Sequence, residues 1–464
     1  MNTHNPGMTA LMMAGCTALT LSCETNQPVS VTSSEKPNII VILPDDLGWA
    51  DVGYHGSDIR TPNIDQLART GVRLDQQYVM PTCTPSRVSL MTGLFPSRYG
   101  VHGPAYGEVI DMGDPTLASI FRDNGYFTAI NGKWHMGSPP YTPLQYGFDS
   151  SYGYFDGQID PYTHEYKMET DFTERRSWHR NDEYLDESGV HVTDLITNEA
   201  IRIIEEVRDE PFFLYIAHHV PHFPLDEPSE WLSVYDDVFM HPSRQLFAAS
   251  VTHMDDGIGQ IIDALERTGQ RENTLILFIS DNGGQFSWHS ETEYHGNYAD
   301  KPHSVLGNNF PLRGWKGSLY EGGIRVPALL NWPGQLDPGV VEFPIHIADW
   351  LPSLCYLTGC KDALRPDLDG HNIWPMVTGQ QPAEHDRRLY WKTNRQYAVR
   401  DGQWKMILNR DNNRVELFDL ATDFRESNDL SESHPAVVER MMNLLEIFQK
   451  GDRHRDVPQL EFGL

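Results

Sequence analysis

Two short apolar runs, rich in β-branched residues, do most to limit the folds open to this chain: Asn38–Leu43 (NIIVIL) and residues 274–280 (TLILFIS). Neither alternates with polar residues, so each reads as a strand buried on both faces, the pattern of a parallel central sheet covered by helices. Each run ends in oxygen-bearing side chains, Pro44-Asp45-Asp46 after the first and Asp281-Asn282-Gly283-Gly284 after the second. Ligands of doubly wound sheets bind at the carboxyl ends of strands, so the two acidic pairs are expected to converge. Helical periodicity runs through residues 63–70, 116–124, 194–207 and 244–268, the last with Leu246, Val251, Ile258, Ile261 and Leu265 on or near one face. Strands alternating with helices make the chain α/β.

The 464 residues suggest about three domains at roughly 150 residues each, although α/β enzymes often place more in one. Residues 141–194 and 285–309 are rich in Tyr, Gly, Asp and His without a sustained period and read as long functional loops. From residue 351 the character changes. Residues 390–408 and 414–420 read as short amphipathic strands around turns at Arg400-Asp401-Gly402 and 410–413, followed by a helix over 435–450. The expected division is a leader at 1–23, a tether at 24–35, an α/β catalytic domain at 36–350 and a smaller α+β subdomain at 351–464. The formal charge of −29 excludes a general basic surface for nucleic acid or anionic membrane. An anionic substrate must then meet a local cluster of cations.

Residues 8–22 (MTALMMAGCTALTLS) have the length of a signal-peptide apolar region and are too short for a permanent membrane span. Small residues precede Cys16 and Cys23, so a lipid anchor through Cys23 or Cys16 and an ordinary secretory leader are both open; the absence of Lys or Arg before the apolar run departs from both patterns. Either way the chain is expected to be exported: periplasmic, outer-membrane-anchored or secreted. Beyond the leader, Cys83, Cys355 and Cys360 remain. Cys355 and Cys360 can pair locally or stay as thiols, and Cys83 is the odd thiol either way.

Asp45, Asp46, Asp281 and Asn282 offer only hard oxygen ligands, which suit Ca²⁺, with Mg²⁺ as the alternative, rather than zinc. The competing reading is that strand-end acids cap helices or form turns. The surroundings of Cys83 favour the metal. Cys83-Thr84-Pro85-Ser86-Arg87, continuing to Gly93, resembles the signature of the type I sulfatases. That resemblance implies oxidation of Cys83 to formylglycine, whose hydrate offers two geminal hydroxyls, one to attack sulfur and one to expel sulfate later.

Further segments are similar to the same family in the same order. Residues 125–135 (GYFTAINGKWH) match its second signature, departing at Asn131, where a small apolar residue is usual. Val220-Pro221-His222-Phe223-Pro224 looks like its Pro-His segment, and Leu312-Arg313-Gly314-Trp315-Lys316-Gly317 with Tyr320-Glu321-Gly322-Gly323-Ile324-Arg325 looks like its lysine segment. The resemblance implies an alkaline-phosphatase-like sandwich, a large mixed central sheet flanked by helices with a small C-terminal α+β domain.

It also implies roles. Asp45, Asp46, Asp281, Asn282 and the modified residue 83 would hold calcium; Arg87, Lys133 and Lys316 would hold sulfate oxygens and the nucleophile. Asp281 would polarise the attacking hydroxyl. His222, with or without Lys316, would protonate the leaving oxygen, and His135 would take a proton from the sulfated intermediate. Partners implied are a sulfated carbohydrate and a formylglycine-generating or anaerobic maturation enzyme. Finer similarity, in residues 147–164, 281–285, 307–314 and 346–352, points to the arylsulfatase B (N-acetylgalactosamine-4-sulfatase) branch, and with it to galactose-type sugars. The expected function is hydrolysis of O-sulfate esters in a sulfated polysaccharide or oligosaccharide. The competing readings are a phosphoester hydrolase or transferase of the wider superfamily, and a non-catalytic glycan-binding relative.

Overall fold

The computed structural model describes residues 1–2, 36–166, 175–239, 242–286, 307–455 and 457–459. The leader and tether, with Cys16 and Cys23, therefore lie outside the described residues except for Met1 and Asn2, as do residues 167–174 and 287–306 of the two long loops.

Both apolar runs are strands at the middle of a ten-stranded sheet. Asn38–Leu43 pairs in parallel with Phe212–Ala217 on one side and Thr274–Ile279 on the other, Val41 standing opposite both Tyr215 and Leu277. Parallel pairing continues through Phe127–Lys133 to Ser150–Tyr154. Antiparallel strands complete the flanks, Ala328–Asn331 and Val72–Leu74 on one side, His179–Arg180 and Glu183–Tyr184 on the other, with Gly339–Val341 outermost beside Val72–Leu74. The sheet is mixed, with a parallel centre.

The double burial read from composition has a direct cause. Successive strand residues point to opposite faces: Ile39, Val41, Leu275 and Leu277 enter one core, and Ile40, Ile42, Ile276 and Phe278 enter the other. Helices Pro62–Thr70, Val192–Glu206 and Pro242–Arg267 cover the second core with Leu67, Ile196, Met254 and Ile258. Helices Cys83–Thr92, Leu117–Asp123 and Trp350–Leu357 cover the first with Val88, Phe121 and Leu354. Pro62 opens its helix at a position where no amide donor is needed, and Thr116 closes a reciprocal cap with Ser119.

Trp350, Leu351 and Leu354 belong to the main core, although the change of sequence character falls at 351. A separate four-stranded antiparallel sheet begins at Arg388, with strands Arg388–Lys392, Gln396–Asp401, Trp404–Asn409 and Val415–Asp419. Helix Pro435–Gln449 covers one of its faces, where Met406 and Leu417 meet Met441 and Leu445. The other face brings Trp391, Ile407 and Phe418 against Tyr78, Met80, Leu319 and Ile324, so it backs the segments that lead into Cys83 and out of Lys316. Cys355 and Cys360 are both free and buried, which settles the local pairing in favour of thiols.

One close approach carries the sheet into the site. Gly132, just before Lys133, has φ +103°, and a Cβ there would stand 2.0 Å from the Ala217 carbonyl oxygen of the paired strand. Only glycine lets these backbones meet at that conformation. Gly132→Ala is expected to cost about 2 kcal/mol or more and to displace Lys133, read as an earlier denaturation midpoint together with lost activity in the fraction that stays folded.

Candidate active site

The carboxyl ends of the two central strands do converge. Asp46, held at φ +71°, accepts at Oδ1 a 2.7 Å hydrogen bond from Asn282 Nδ2, and its amide donates to Asp281 Oδ1 at 3.2 Å. The Ser280 hydroxyl locks the two turns, accepting from the Leu47 amide at 3.1 Å and donating to the Asn282 carbonyl at 2.8 Å. Asp45, Asp46, Asp281 and Asn282 are all buried. Cys83 joins them as the first residue of helix Cys83–Thr92, and donor atoms of Asp45, Cys83 and Asp281 lie within 4.8 Å of one another.

Three cations balance the three carboxylates. Arg87, one helical turn beyond Cys83, donates from Nη2 to Asp281 Oδ2 at 2.7 Å and approaches Asp45 at 3.8 Å, while its Nη1 donates to the Lys133 carbonyl at 3.1 Å. Lys133, the last residue of its strand, pairs through Nζ with Asp45. Lys316 Nζ donates to Asp46 Oδ2 at 2.7 Å. Burial opposes the charge on Lys316, but Asp46 and Asp45 outweigh it and hold its ammonium above the ordinary range. Burial and the neighbouring Asp45 push the Asp281 carboxyl up to about 6 against the pull of Arg87.

Cys83 is a thiol in these surroundings: burial pushes it up, Lys133 and Lys316 pull it down, and Asp45 and Asp281 push it up again. A buried protonated thiol is a weak nucleophile.

His222 and His135 flank this centre. His222 Nε2 stands 3.8 Å from Asp46 Oδ2 and its Nδ1 bonds the Phe223 carbonyl. His135 has φ +51°, and among the described residues neither ring nitrogen has a hydrogen-bond partner. Burial, then the neighbouring cations, Lys133 foremost for His135 and Lys316 for His222, hold both imidazoles well below their ordinary value. Each is neutral at rest, and an arriving anion is what would favour a proton on it. Gly157 gives the His135 ring its space, since a Cβ there would lie 2.8 Å from Nε2.

All ten residues singled out from sequence thus occupy one buried cluster. Comparison with known proteins gives the family of the chain. The family model described as Sulfatase matches residues 37–360, and a second, N-sulphoglucosamine sulphohydrolase, C-terminal, matches residues 314–450.

The chain belongs to the sulfatase family.

Arylsulfatase J of Mus musculus is 30% identical over 90% of this chain and 76% of its own length, and N-acetylgalactosamine-6-sulfatase of the same organism is 31% identical over 90% and 81%. The crystal structure of Ps i-CgsB in complex with k-i-k-neocarrahexaose superposes with a TM-score of 0.79 at 32% identity, covering 90% of this chain and 94% of that one. Membership makes the chain a sulfuric ester hydrolase and sets aside the phosphoester and non-catalytic readings. The large mixed sheet with a small C-terminal antiparallel sheet is the sulfatase, alkaline-phosphatase-like fold.

The cluster fits the metal ion that sulfatases generally use. Asp45 Oδ1 and Asn282 Oδ1 are buried without a hydrogen-bond partner among the described residues, and an oxygen-only set of three carboxylates and a carboxamide suits a hard divalent cation. Sequence reasoning passed over Tyr215, whose hydroxyl lies 3.4 Å from Arg87 Nη1, because it reads as one more residue of an apolar strand.

A second histidine–carboxylate group is built from residues outside this cluster. His253 bonds Glu227 through Nδ1 at 2.8 Å and Asp194 through Nε2 at 3.1 Å, tying the segment after His222 to helices Val192–Glu206 and Pro242–Arg267. His191 beside it uses both ring nitrogens on backbone, Nε2 with the Asp226 carbonyl at 3.0 Å and Nδ1 with the Thr193 amide at 3.2 Å. Burial works against a charge on His253, but the two carboxylates raise it to about 9. A raised folded value gives stability that is complete below pH about 6.5 and is lost as pH rises through about 9. The difference in unfolding free energy between wild type and His253→Gln should therefore shrink between pH 6 and pH 10, as measured by denaturant titration at each pH.

Proposed function

We propose that this sulfatase removes O-sulfate from a galactose-type residue of a sulfated polysaccharide or its oligosaccharides, with Cys83 converted to formylglycine and Ca²⁺ held by Asp45, Asp46, Asp281, Asn282 and residue 83. The observation that carries the reading is the buried set of three carboxylates, three cations and two neutral histidines around Cys83. The sugar class rests on the resemblance of residues 147–164, 281–285, 307–314 and 346–352 to the arylsulfatase B branch and on the sugars named for its relatives, N-acetylgalactosamine and neocarrahexaose. Export, an anchor through Cys23 or Cys16, and a maturation enzyme acting on Cys83 belong to the same proposal, supported by the apolar run at 8–22 and the Cys-x-Pro-x-Arg segment.

The metal would neutralise sulfate charge, and the aldehyde hydrate would supply the attacking hydroxyl that a buried thiol cannot. The chain's own side chains do the rest. Arg87, Lys133 and Lys316 present three positive charges to the nonbridging oxygens, in a buried site where such charges act strongly. His222 delivers a proton to the departing sugar oxygen, and His135 accepts one at residue 83. Both start neutral, so His222 acts as an acid only after the anion has raised its proton affinity.

Matured protein assayed on defined sulfated galactose and glucosamine oligosaccharides tests the sugar class. Sulfate release confined to the galactose series is expected, and release from glucosamine sulfates alone overturns the assignment. Cys83→Ala should reduce turnover to background with little change in thermal midpoint. His222→Ala should lower kcat/KM for a sulfated sugar by roughly 10²–10⁴-fold and for an activated aryl sulfate far less, because a nitrophenolate leaves without a proton. Arg87→Ala and Lys133→Ala should impair both substrates alike.

A further inference from the structure

A buried charge cluster joins the C-terminal sheet to the site from behind. Lys405, central in strand Trp404–Asn409, places Nζ 2.8 Å from Glu321 Oε1 and 2.8 Å from Glu426 Oε1, with all three side chains fully buried. Glu321 Oε2 accepts from the Tyr78 hydroxyl at 2.6 Å, and the Glu321 amide donates to Glu426 Oε2 at 2.7 Å. The Glu426 carbonyl in turn accepts from Arg313 Nη1 at 2.8 Å. Apolar contacts already join the two layers, and a buried ion cluster adds little stability over apolar packing of the same volume.

What the cluster does fix is one turn. Gly322 donates its amide to the Arg313 carbonyl at 2.7 Å, and the Gly323 carbonyl accepts from the Gly283 amide at 3.1 Å. The turn at 321–323 therefore holds both the loop that carries Lys316 and the loop that carries Asp281 and Asn282. Those loops also bond each other through the Lys316 amide and the Gly284 carbonyl at 3.2 Å, and Gly317 bonds the Pro81 carbonyl, two residues before Cys83, at 2.7 Å.

We propose that Lys405 is a positioning residue for sulfate-ester hydrolysis: held between Glu321 and Glu426, it fixes the 321–323 turn, and through it Lys316 and the metal-side loop, so that the C-terminal sheet is part of the catalytic apparatus. The proposal rests on the reading of Lys316 as a sulfate-binding residue. Charge balance supports the arrangement. Lys405, Arg325 and Arg400 outweigh burial and hold Glu321 below its ordinary range, while burial and Glu321 hold the Glu426 carboxyl above its own.

The test compares two lysines buried in one sheet. Lys392 pairs with Asp452 at 2.9 Å and has no bond to the turn, so Lys392→Met reports the cost of removing a buried charge from this layer. At a temperature where both variants are folded, Lys405→Met should lower kcat on an activated aryl sulfate at least tenfold and raise the calcium concentration for half-activation. Lys392→Met should stay within twofold of wild type on both counts, even with a comparable fall in thermal midpoint. Glu321→Gln should match Lys405→Met, and the double variant should be no worse than either, because both remove one linkage. Equal kcat for Lys405→Met and Lys392→Met overturns the proposal. Should Lys405→Met not fold, Glu426→Gln retains the oxygen used by the Glu321 amide and serves instead: a loss of kcat above threefold supports the proposal and an unchanged kcat overturns it. Lys316→Ala is measured alongside; full activity there would sink the sulfate-binding role of Lys316 without touching the Lys405 comparison.

Discussion

Parallel hydrogen bonding between Asn38–Leu43 and Thr274–Ile279, from Asn38 opposite Thr274 to Ile42 opposite Phe278, fixes where every charged group of the site can be. Both strands stop at the same level, so Asp46 and Asn282, 236 residues apart in sequence, meet at hydrogen-bond distance. The next parallel partners, Phe212–Ala217 and Phe127–Lys133, end beside them and deliver the loop to His222 on one and Lys133 on the other. A slip of one residue along any of these ladders would exchange its two buried faces and shift the site groups it carries. The apolar alternation between two cores thus guarantees the register on which the polar chemistry depends.

Burying three carboxylates in one place is costly unless the charge is met locally. Arg87 meets Asp281, Lys133 meets Asp45, and Lys316 meets Asp46, each cation coming from a different segment. On the proposed reading, a sulfate monoester would meet cations already fixed in position by these pairs, the preorganisation that such a site requires. The chain as a whole carries −29 and the cluster's three cations are matched by its three carboxylates, so net attraction of an anion would need the divalent cation that those carboxylates suit.

Much of this was legible in sequence because its physical causes are local. Two unbroken apolar runs give buried strands; helical periodicity at 63–70, 194–207 and 244–268 matches Pro62–Thr70, Val192–Glu206 and Pro242–Arg267 within a few residues. The site residues were readable because their spacing resembles a family pattern. The contribution of the second layer was not. Lys405 reads as an ordinary lysine in an amphipathic strand, and Glu426 as one of many acids in a polar turn. Only the fold shows that they meet Glu321 across 84 and 105 residues. Tyr215 and His253 were hidden in the same way, each inside an element whose apolar pattern says nothing of a polar partner elsewhere in the chain. The change of character at 351 marks a shift in composition, whereas Trp350 and Leu354 still pack in the main core because burial follows contacts that composition does not encode.

The position of Thr274–Ile279 in the middle of the sheet also constrains how the chain is made. During synthesis, Asn38–Leu43 emerges early and can acquire Phe212–Ala217 as a neighbour only after nearly half of the residues are complete, and its second neighbour later still. Until then a strand that is apolar on both faces has an unsatisfied edge, a hazard for association with other chains. Closing loops of this length slows folding far more than it weakens the folded state. A chain truncated before residue 279 would therefore keep Asn38–Leu43 paired with Phe212–Ala217 but leave its other edge open.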